Sequence, residues 1–408
     1  MPKERRPILV LVPLPPTYRG GTEEYAYRLA RRVSDQHPVR ILTTTVDPTP
    51  DSPPLDTGAI PIRRLPASAL FQRPLVRSRA AFAELRSAVR SAALLHLHMP
   101  FPFVEKKAVR WAKMAGIPVV LTYHMDADFA GASGLPGAGL VTFGYRTLSA
   151  HPALRGADAV VSNSRGYAEA SPVLSRYMSK VRVIAKGVDP VRLGLTGTVP
   201  HGRIEPGGDL LPGADPLDRR VLFVGRLVPY KGVGVLLDAV AKLRRTIPRL
   251  RLYIAGNGPE KARLQERVNR LELTGTVRFL GFVPDDRLGA LYRSVDVVAC
   301  TSIGRLESTA TTLEEAASLG TPTLGSDLAG TDETVPNDGV HGLLCPPGNV
   351  EAVTRALDRL LGQPRPIRTQ PLRTWEETAG DYLRLFAELG VGAAPEQVLH
   401  NPDNTPAG

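Results

Sequence analysis

The chain has 408 residues, 43% of them apolar and 22% charged; this excludes an intrinsically disordered chain and suits two domains of common size rather than one core. The net charge of +11 is uneven: residues 1–200 hold 27 Lys and Arg against 14 Asp and Glu, and residues 201–408 hold 24 against 26. The basic first half reads either as the field of an anionic partner (a phosphate-bearing acceptor, a membrane surface or nucleic acid) or as a solvated Arg-rich surface.

The first apolar run, PILVLVPLPP (7–16), is short, broken by proline and followed by a Gly-Gly turn, and it carries no small-residue cleavage site. It reads as a strand rather than a secretory leader. No other segment is long enough to cross a bilayer. Cys300 and Cys345 have no metal-site or disulfide-framework spacing, so a reducing compartment, the cytoplasm, is expected. TYRGGTEEYAYRLA (17–30) leaves the first strand and opens a helix with Tyr25, Leu29 and Val33 on its apolar side. Gly20 and Gly21 would let an anion approach unpaired N–H groups at the helix start, although many such turns use Gly for geometry alone.

Further strands are predicted at VRILTTT (39–45), ALLHLH (93–98), PVVLTYH (118–124) and AVVSNS (159–164). His96 and His98 point to one side of their strand, and both they and His124 would end at a crevice. These three with Asp126 are read as hydrogen-bonding groups in preference to a zinc site. VEKKAVRWAKMAG (104–116) sets Lys106, Lys107, Arg110 and Lys113 against Val104, Ala108, Trp111 and Ala115, a basic face suited to peripheral contact with an anionic membrane or simply to solvent. The Gly- and Pro-rich stretch 193–217 reads as a linker.

The second half repeats the alternation, with strands at VLFVGR (221–226), LRLYIAG (250–256), TVRFLGF (276–282), VDVVACT (295–301) and TPTLGS (321–326). The expected fold is therefore α/β, two doubly wound Rossmann-like domains facing across a cleft, with ligands at the carboxyl ends of the strands. The boundaries expected are residues 1–204 for the acceptor-side domain and 205–390 for the donor-side domain. The final helix, TWEETAGDYLRLFAEL (374–389), would bury Trp375, Tyr382, Leu383 and Phe386 and pack back on the first domain. The tail 391–408 is expected to be disordered.

Two motifs carry the chemistry. GRLVPYKG (225–232) places Arg226 at a strand end and Lys231 before a helix, between Gly225 and Gly232; two cations there suit a diphosphate and the charge that grows on it as a glycosidic bond breaks. Gly256, in AGNGPEKARL (255–264), either lines the same pocket or serves the turn alone. RLESTATTLEEAASLG (305–320) puts Glu307 in a loop leading through Thr311 and Thr312 into a helix that carries Glu315. Its free N–H groups would face phosphate while the two carboxylates take hydroxyls.

These residues resemble glycosyltransferase family 4, the retaining nucleotide-sugar glycosyltransferases of GT-B fold, over residues 8 to about 388. The resemblance rests on GRLVPYKG, the Glu307 to Glu315 spacing with EAASLGTP, GGTEEYAYRLA with Glu23 in the usual acidic position, HLHMPFP, TYHMD and VIAKGVD, where Lys186 stands in place of the usual Asn. It implies that Arg226 and Lys231 bind the donor diphosphate, Glu315 the ribose, Glu307 the transferred sugar and His124 that sugar near its C6 hydroxyl, with Gly21 letting the first domain close on the phosphates. Glu23, His98 and Asp126 would lie toward the acceptor. It also implies a metal-independent reaction that retains anomeric configuration, with no cofactor beyond the nucleotide-sugar substrate. After its first Glu the family commonly has Gly-Phe-Gly, whereas this chain has Ser308, Thr309 and Ala310, which adds a Cβ where backbone approaches the donor. The substrates expected are a UDP-sugar or GDP-mannose and a hydroxyl of a lipid-linked, polysaccharide or small-molecule acceptor. An epimerase or hydrolase on the same fold, and a non-catalytic nucleotide-sugar or nucleic-acid binding module, are the competing readings. No specific nucleic-acid motif supports the last.

Overall fold

The structure is a computed structural model and describes residues 5–50, 52–70, 73–127, 138–189, 193–194, 210–304, 311–333, 335–363 and 373–392. Its strands form two large sheets, parallel throughout. The first contains β1 (Ile8–Leu11), β2 (Val39–Thr44), β3 (Ile62–Leu65), β6 (Leu94–Met99), β7 (Val119–Tyr123), β8 (Ala159–Ser162) and β9 (Val181–Val183), in the order β3-β2-β1-β6-β7-β8-β9. Between β3 and β6, the strands β4 (Ser68–Leu70) and β5 (Arg73–Leu75) form a separate antiparallel pair. The second sheet contains β10 (Arg219–Val224), β11 (Leu250–Ala255), β12 (Val277–Gly281), β13 (Val297–Cys300), β14 (Thr323–Ser326) and β15 (Gly342–Cys345), in the order β12-β11-β10-β13-β14-β15. In each sheet the chain first winds one way and then the other. The reversals fall between β1 and β6 and between β10 and β13, where a doubly wound sheet opens a crevice at its carboxyl edge.

Both faces of each sheet are covered, which is why the central strands are continuous apolar runs rather than alternating ones. Over the first sheet, α2 (Arg79–Ser91), α3 (Glu105–Met114), α4 (Ala138–Tyr145), α5 (His151–Gly156) and α6 (Arg165–Ala170) contribute to one core around Leu85, Leu97, Val109, Leu121 and Leu154. The opposite face is covered by α1 (Gly21–Val33) and α12 (Trp375–Glu388). Over the second sheet, α7 (Val233–Leu243), α8 (Lys261–Arg270) and α11 (Val350–Leu361) cover one face, and α9 (Asp285–Arg293) and α10 (Thr311–Ser318) the other.

Helix α12 begins with a capping box: the Thr374 hydroxyl accepts from the Glu377 N–H, and the Glu377 carboxylate accepts from the Thr374 N–H at 2.7 Å. Trp375, Tyr382, Leu383 and Phe386 are all buried against α1 and the first sheet, although the chain has by then built the second sheet. Two strips of backbone and side chain hold this return: Val188 N–H donates to Arg373 O at 2.8 Å, and the Thr378 hydroxyl donates to Ala185 O at 3.0 Å.

The sequence reading did not foresee β3, β9 and β15. Each is an edge strand of three or four residues; β3 and β9 carry arginines among their apolar residues, and β15, though apolar, is only four residues long. The expected disordered tail lies outside the described residues from 393 onward, as does most of the linker.

Further ties join the two halves. Asp285, in the first turn of α9, takes Arg28 of α1 at 2.9 Å and Arg19 at 3.2 Å, and Arg28 also reaches Asp189 at 3.4 Å. Glu333 accepts from the Ser164 hydroxyl at 3.1 Å, from Arg165 N–H at 3.2 Å and from Gly166 N–H, so a carboxylate of the second half caps the first turn of α6 in the first half.

Candidate functional site

Three turns at the carboxyl edge of the second sheet are stacked backbone on backbone. Gly225 N–H donates to Ala255 O at 2.9 Å, and Leu227 N–H donates to Asn257 O at 3.0 Å. Gly225 and Gly256 both have positive φ, 153° and 133°, and a Cβ on Gly256 would overlap the Gly225 carbonyl oxygen. Gly232, with φ of 63°, lies so close to Thr301 that a Cβ would overlap its carbonyl oxygen; the Thr301 hydroxyl donates to Gly232 O at 3.0 Å. Only glycine satisfies both the dihedral and the approach. The result is a rigid turn carrying Arg226, which is exposed, and Lys231, which closes the short 3-10 turn Pro229–Lys231 just before α7.

The first domain meets this turn through the loop before α1. The Arg226 guanidinium carbon lies 5.4 Å from the centroid of the Tyr18 ring, within cation–π range. Three residues on, Gly21 is exposed and a Cβ there would meet nothing within 4 Å. Helix α1 has Gly20 at its N-cap, with no side chain to satisfy the first N–H groups, and such a helix start favours an anion.

Beneath α1 the three histidines form a buried ladder. His98 Nδ1 and His124 Nε2 are 2.9 Å apart with nearly parallel rings, and the His96 and His98 ring centroids are 4.4 Å apart. His96 Nε2 bonds the Thr122 hydroxyl at 2.8 Å, which bonds Tyr382 OH at 2.8 Å, which bonds Tyr25 OH at 3.1 Å. Burial pushes the imidazoles down: His96 and His124 to about 3, with Lys186 and His96 adding to the effect on His124, and His98 well below its ordinary value, with its two neighbours adding. All three are neutral at pH 7. His96 is thus covered by α12 and does not face a crevice, contrary to its expected place; the cause is the return of the C-terminal helix over β6. Among the described residues no group of three His, Cys, Asp or Glu is arranged to hold a metal ion.

Asp126 is buried and its carboxylate is held by hydroxyl groups, accepting from Tyr123 at 2.8 Å, Ser171 at 2.7 Å and Tyr167 at 3.4 Å. It ties the end of β7 to α6. Glu23 is likewise buried, its Oε2 lying over Gly20 beside the Tyr18 ring.

Glu315 lies on the buried face of α10 and accepts from Tyr292 OH at 2.7 Å. Thr311 and Thr312, in the first turn, are half-buried. Glu307, Ser308, Thr309 and Ala310 lie outside the described residues. Glu314, whose outer edge remains accessible, is pushed up to about 7 by burial and by the neighbouring Glu315, and Lys186 opposes the rise. Lys186 therefore acts electrostatically on both Glu314 of the second domain and His124 of the first. The sequence reading noted Lys186 only as a departure from the usual Asn; the segment that presents it is held by Ala185 O, which accepts from Thr378 of α12, and by Val188 N–H, which donates to Arg373 O just before that helix.

Profiles of two families match the chain: "Glycosyltransferase Family 4" over residues 19–192 and "Glycosyl transferases group 1" over residues 213–376. The chain belongs to glycosyltransferase family 4. D-rhamnosyltransferase WbpZ of Pseudomonas aeruginosa is 28% identical over 355 residues, covering 85% of this chain and 84% of the relative. This family member also shares the GT-B fold of sucrose-phosphate synthase from Thermosynechococcus elongatus, with a TM-score of 0.70 at 22% identity over 95% of this chain and 99% of that one. Anabaena HepE, solved in complex with UDP, matches with a TM-score of 0.65 at 20% identity, over 91% and 93% of the two chains. The two sheets and their crevice are thus those of a GT-B glycosyltransferase.

Proposed function

We propose that this glycosyltransferase moves a hexose-type sugar from a nucleoside-diphosphate donor, a UDP-sugar or GDP-mannose, to a hydroxyl of a lipid-linked, polysaccharide or small-molecule acceptor, with retention of configuration and without a metal. The observation that carries the reading is the glycine-stacked turn that holds Arg226 and Lys231 opposite the uncapped start of α1. Two cations and a helix N-terminus converge where a diphosphate would lie, and the binding of UDP by HepE, a protein of this fold, supports a nucleotide partner. As the bond between the anomeric carbon and the diphosphate oxygen breaks, charge collects on that oxygen. Arg226 and Lys231 stabilise it more than they stabilise the neutral-bonded ground state. The acceptor oxygen bonds to the same carbon from the same face, and its proton passes to the departing phosphate. Gly225 and Gly256 shape the donor pocket, Thr311 and Thr312 offer the first N–H groups of α10, Glu315 takes the ribose, Glu307 the transferred sugar and His124 its C6 region.

Thermal unfolding with UDP-, GDP- and ADP-sugars, with and without magnesium, tests this. A donor at 100 times its dissociation constant stabilises by roughly 2.7 kcal/mol. One nucleotide class should raise the melting temperature independently of magnesium in the parent and fail to do so in Lys231→Ala. A shift undiminished in that variant, or one that needs magnesium, counts against the assignment.

The basic helix suggests how a lipid-linked acceptor would be met. Lys106, Lys107, Arg110 and Lys113 are all exposed on α3, although Lys113 pairs with Asp158 at 2.7 Å and Lys107 lies 3.4 Å above the Phe82 ring centroid, so two of the four cations already have a partner within the protein. In α4 and the turn after it Leu140, Phe143 and Leu148 are exposed. Apolar groups beside cations suit peripheral contact with an anionic bilayer; no helix among the described residues is long and apolar enough to cross one. Reversing Lys106 and Arg110 to Glu should reduce co-sedimentation with anionic vesicles, and unchanged sedimentation removes the proposal.

A further inference from the structure

We propose that His98 is a positioning residue that fixes the tautomer of His124, so that His124 presents Nδ1–H as a hydrogen-bond donor to the crevice; this rests on the donor-sugar role given to His124 above. The two rings share one short bond, His98 Nδ1 to His124 Nε2 at 2.9 Å, with ring planes only 17° apart. Two neutral imidazoles can share that bond in two ways. If His124 donates from Nε2, His98 must carry its own proton on Nε2. If His98 donates from Nδ1, its Nε2 keeps a bare lone pair, and the proton of His124 must sit on Nδ1.

The surroundings of His98 decide between them. His98 is 0% exposed, and its Nε2 is enclosed with no hydrogen-bond partner among the described residues. An N–H buried without an acceptor is rarer in folded proteins than an acceptor left under-used, so the arrangement with a bare Nε2 is favoured. The other neighbours of the pair do not reverse the choice. His96 contributes a ring tilted 45° to that of His98, its Nε2 already engaged by Thr122, and Tyr25 meets His124 ring edge to ring at 5.0 Å while its own hydroxyl faces Tyr382. Burial, and the charge of Lys186 with it, disfavour a second proton on His124. A neutral His124 with its proton on Nδ1 donates to a hydroxyl oxygen of a bound sugar, and does so at every pH at which the protein is folded and the imidazole uncharged. His98 touches no substrate in this scheme.

The test is two-bond proton–nitrogen correlation NMR on protein carrying 15N-histidine, assigned by the resonances lost on substitution, together with thermal-shift titration of UDP-glucose and GDP-mannose. The parent should show both His98 and His124 protonated at Nδ1. His98→Asn places an amide donor near the same point and should retain that His124 tautomer and the donor affinity. His98→Asp can only accept when ionised, so it should move the His124 proton to Nε2 and weaken the affinity about tenfold, the scale of one lost hydrogen bond. A parent His124 protonated at Nε2 overturns the proposal, as does a His98→Asp variant that changes neither tautomer nor affinity. If neither nucleotide sugar shifts the parent, the proposed function fails, and the NMR arm still decides the tautomer.

Discussion

Buried ionisable side chains in this protein pull its pH dependence in two directions. Glu105 is fully buried on α3 and is pushed up to about 8, chiefly by burial, while Glu314 is pushed up to about 7. A carboxyl raised in this way contributes stability that is complete below its unfolded value near 4.5, and that is lost as pH rises through 7 to 8. The three histidines act oppositely: depressed in the folded chain, they contribute stability above their unfolded value near 6.5 that is lost as pH falls, toward about 3 for His96 and His124. Stability should therefore peak between these windows. Glu105→Gln should remove much of the decline between pH 5 and 9, seen as a melting temperature that rises relative to the parent as pH is raised; parallel curves would mean Glu105 is not the source. At the same scale, the sequence reading located Arg226 and Lys231 because a strand, a Gly-rich turn and a helix are contiguous. Asp126 was different: the hydroxyls that hold it come from Tyr123, Tyr167 and Ser171, and the last two lie 41 and 45 positions away. Only the packing of α6 against the end of β7 brings them together.

Helix α12 is the element whose position most alters the site. Its pattern was legible because amphipathicity, with Trp375, Tyr382, Leu383 and Phe386 on one side, is a local property; the Thr374 to Glu377 capping box, equally local, was not read. Its consequence for His96 was not legible. Tyr382 reaches the Thr122 hydroxyl 260 positions earlier, and the chain from His96 through Thr122 and Tyr382 to Tyr25 closes the ladder off from below. The Trp375 ring packs edge-on to Tyr25 at 5.2 Å, and Tyr25 in turn meets His124. Trp375→Ala should cost about 3–5 kcal/mol, the range for truncating a buried aromatic side chain. It should also loosen His124, so donor affinity should fall along with urea resistance. A variant that unfolds earlier but binds donor like the parent would confine α12 to a structural role.

Apart from α12, whose apolar side is buried on the first sheet, the first half meets the second through polar ties: Arg19 and Arg28 with Asp285, Glu333 with the start of α6, and Arg226 with Tyr18. Part-exposed ion pairs are worth roughly 0–1 kcal/mol each, and polar interfaces between domains permit motion as the default. Away from α12, the ties across the crevice among the described residues are thus modest ones. Replacing both Asp285 and Glu333 with Ala should leave secondary structure unchanged by circular dichroism, enlarge the radius of gyration in solution scattering, and raise the donor concentration needed for half-maximal binding severalfold. An unchanged radius would show that these ties do not set the closure.

The linear order of residues by itself determined the α/β class, the central strands and the glycine-rich turn that carries Arg226 and Lys231, because each depends on apolar runs, glycines and cations that are neighbours in the chain. Edge strands β3, β9 and β15 escaped because pairing, not composition, makes them strands. The His98 to His124 bond, the burial of His96, the inward turn of Asp126 and the approach of Lys186 to both Glu314 and His124 were decided only by the tertiary structure. Each joins residues far apart in sequence, and whether a polar side chain meets solvent, a ligand or another side chain is settled by what the rest of the fold lays over it.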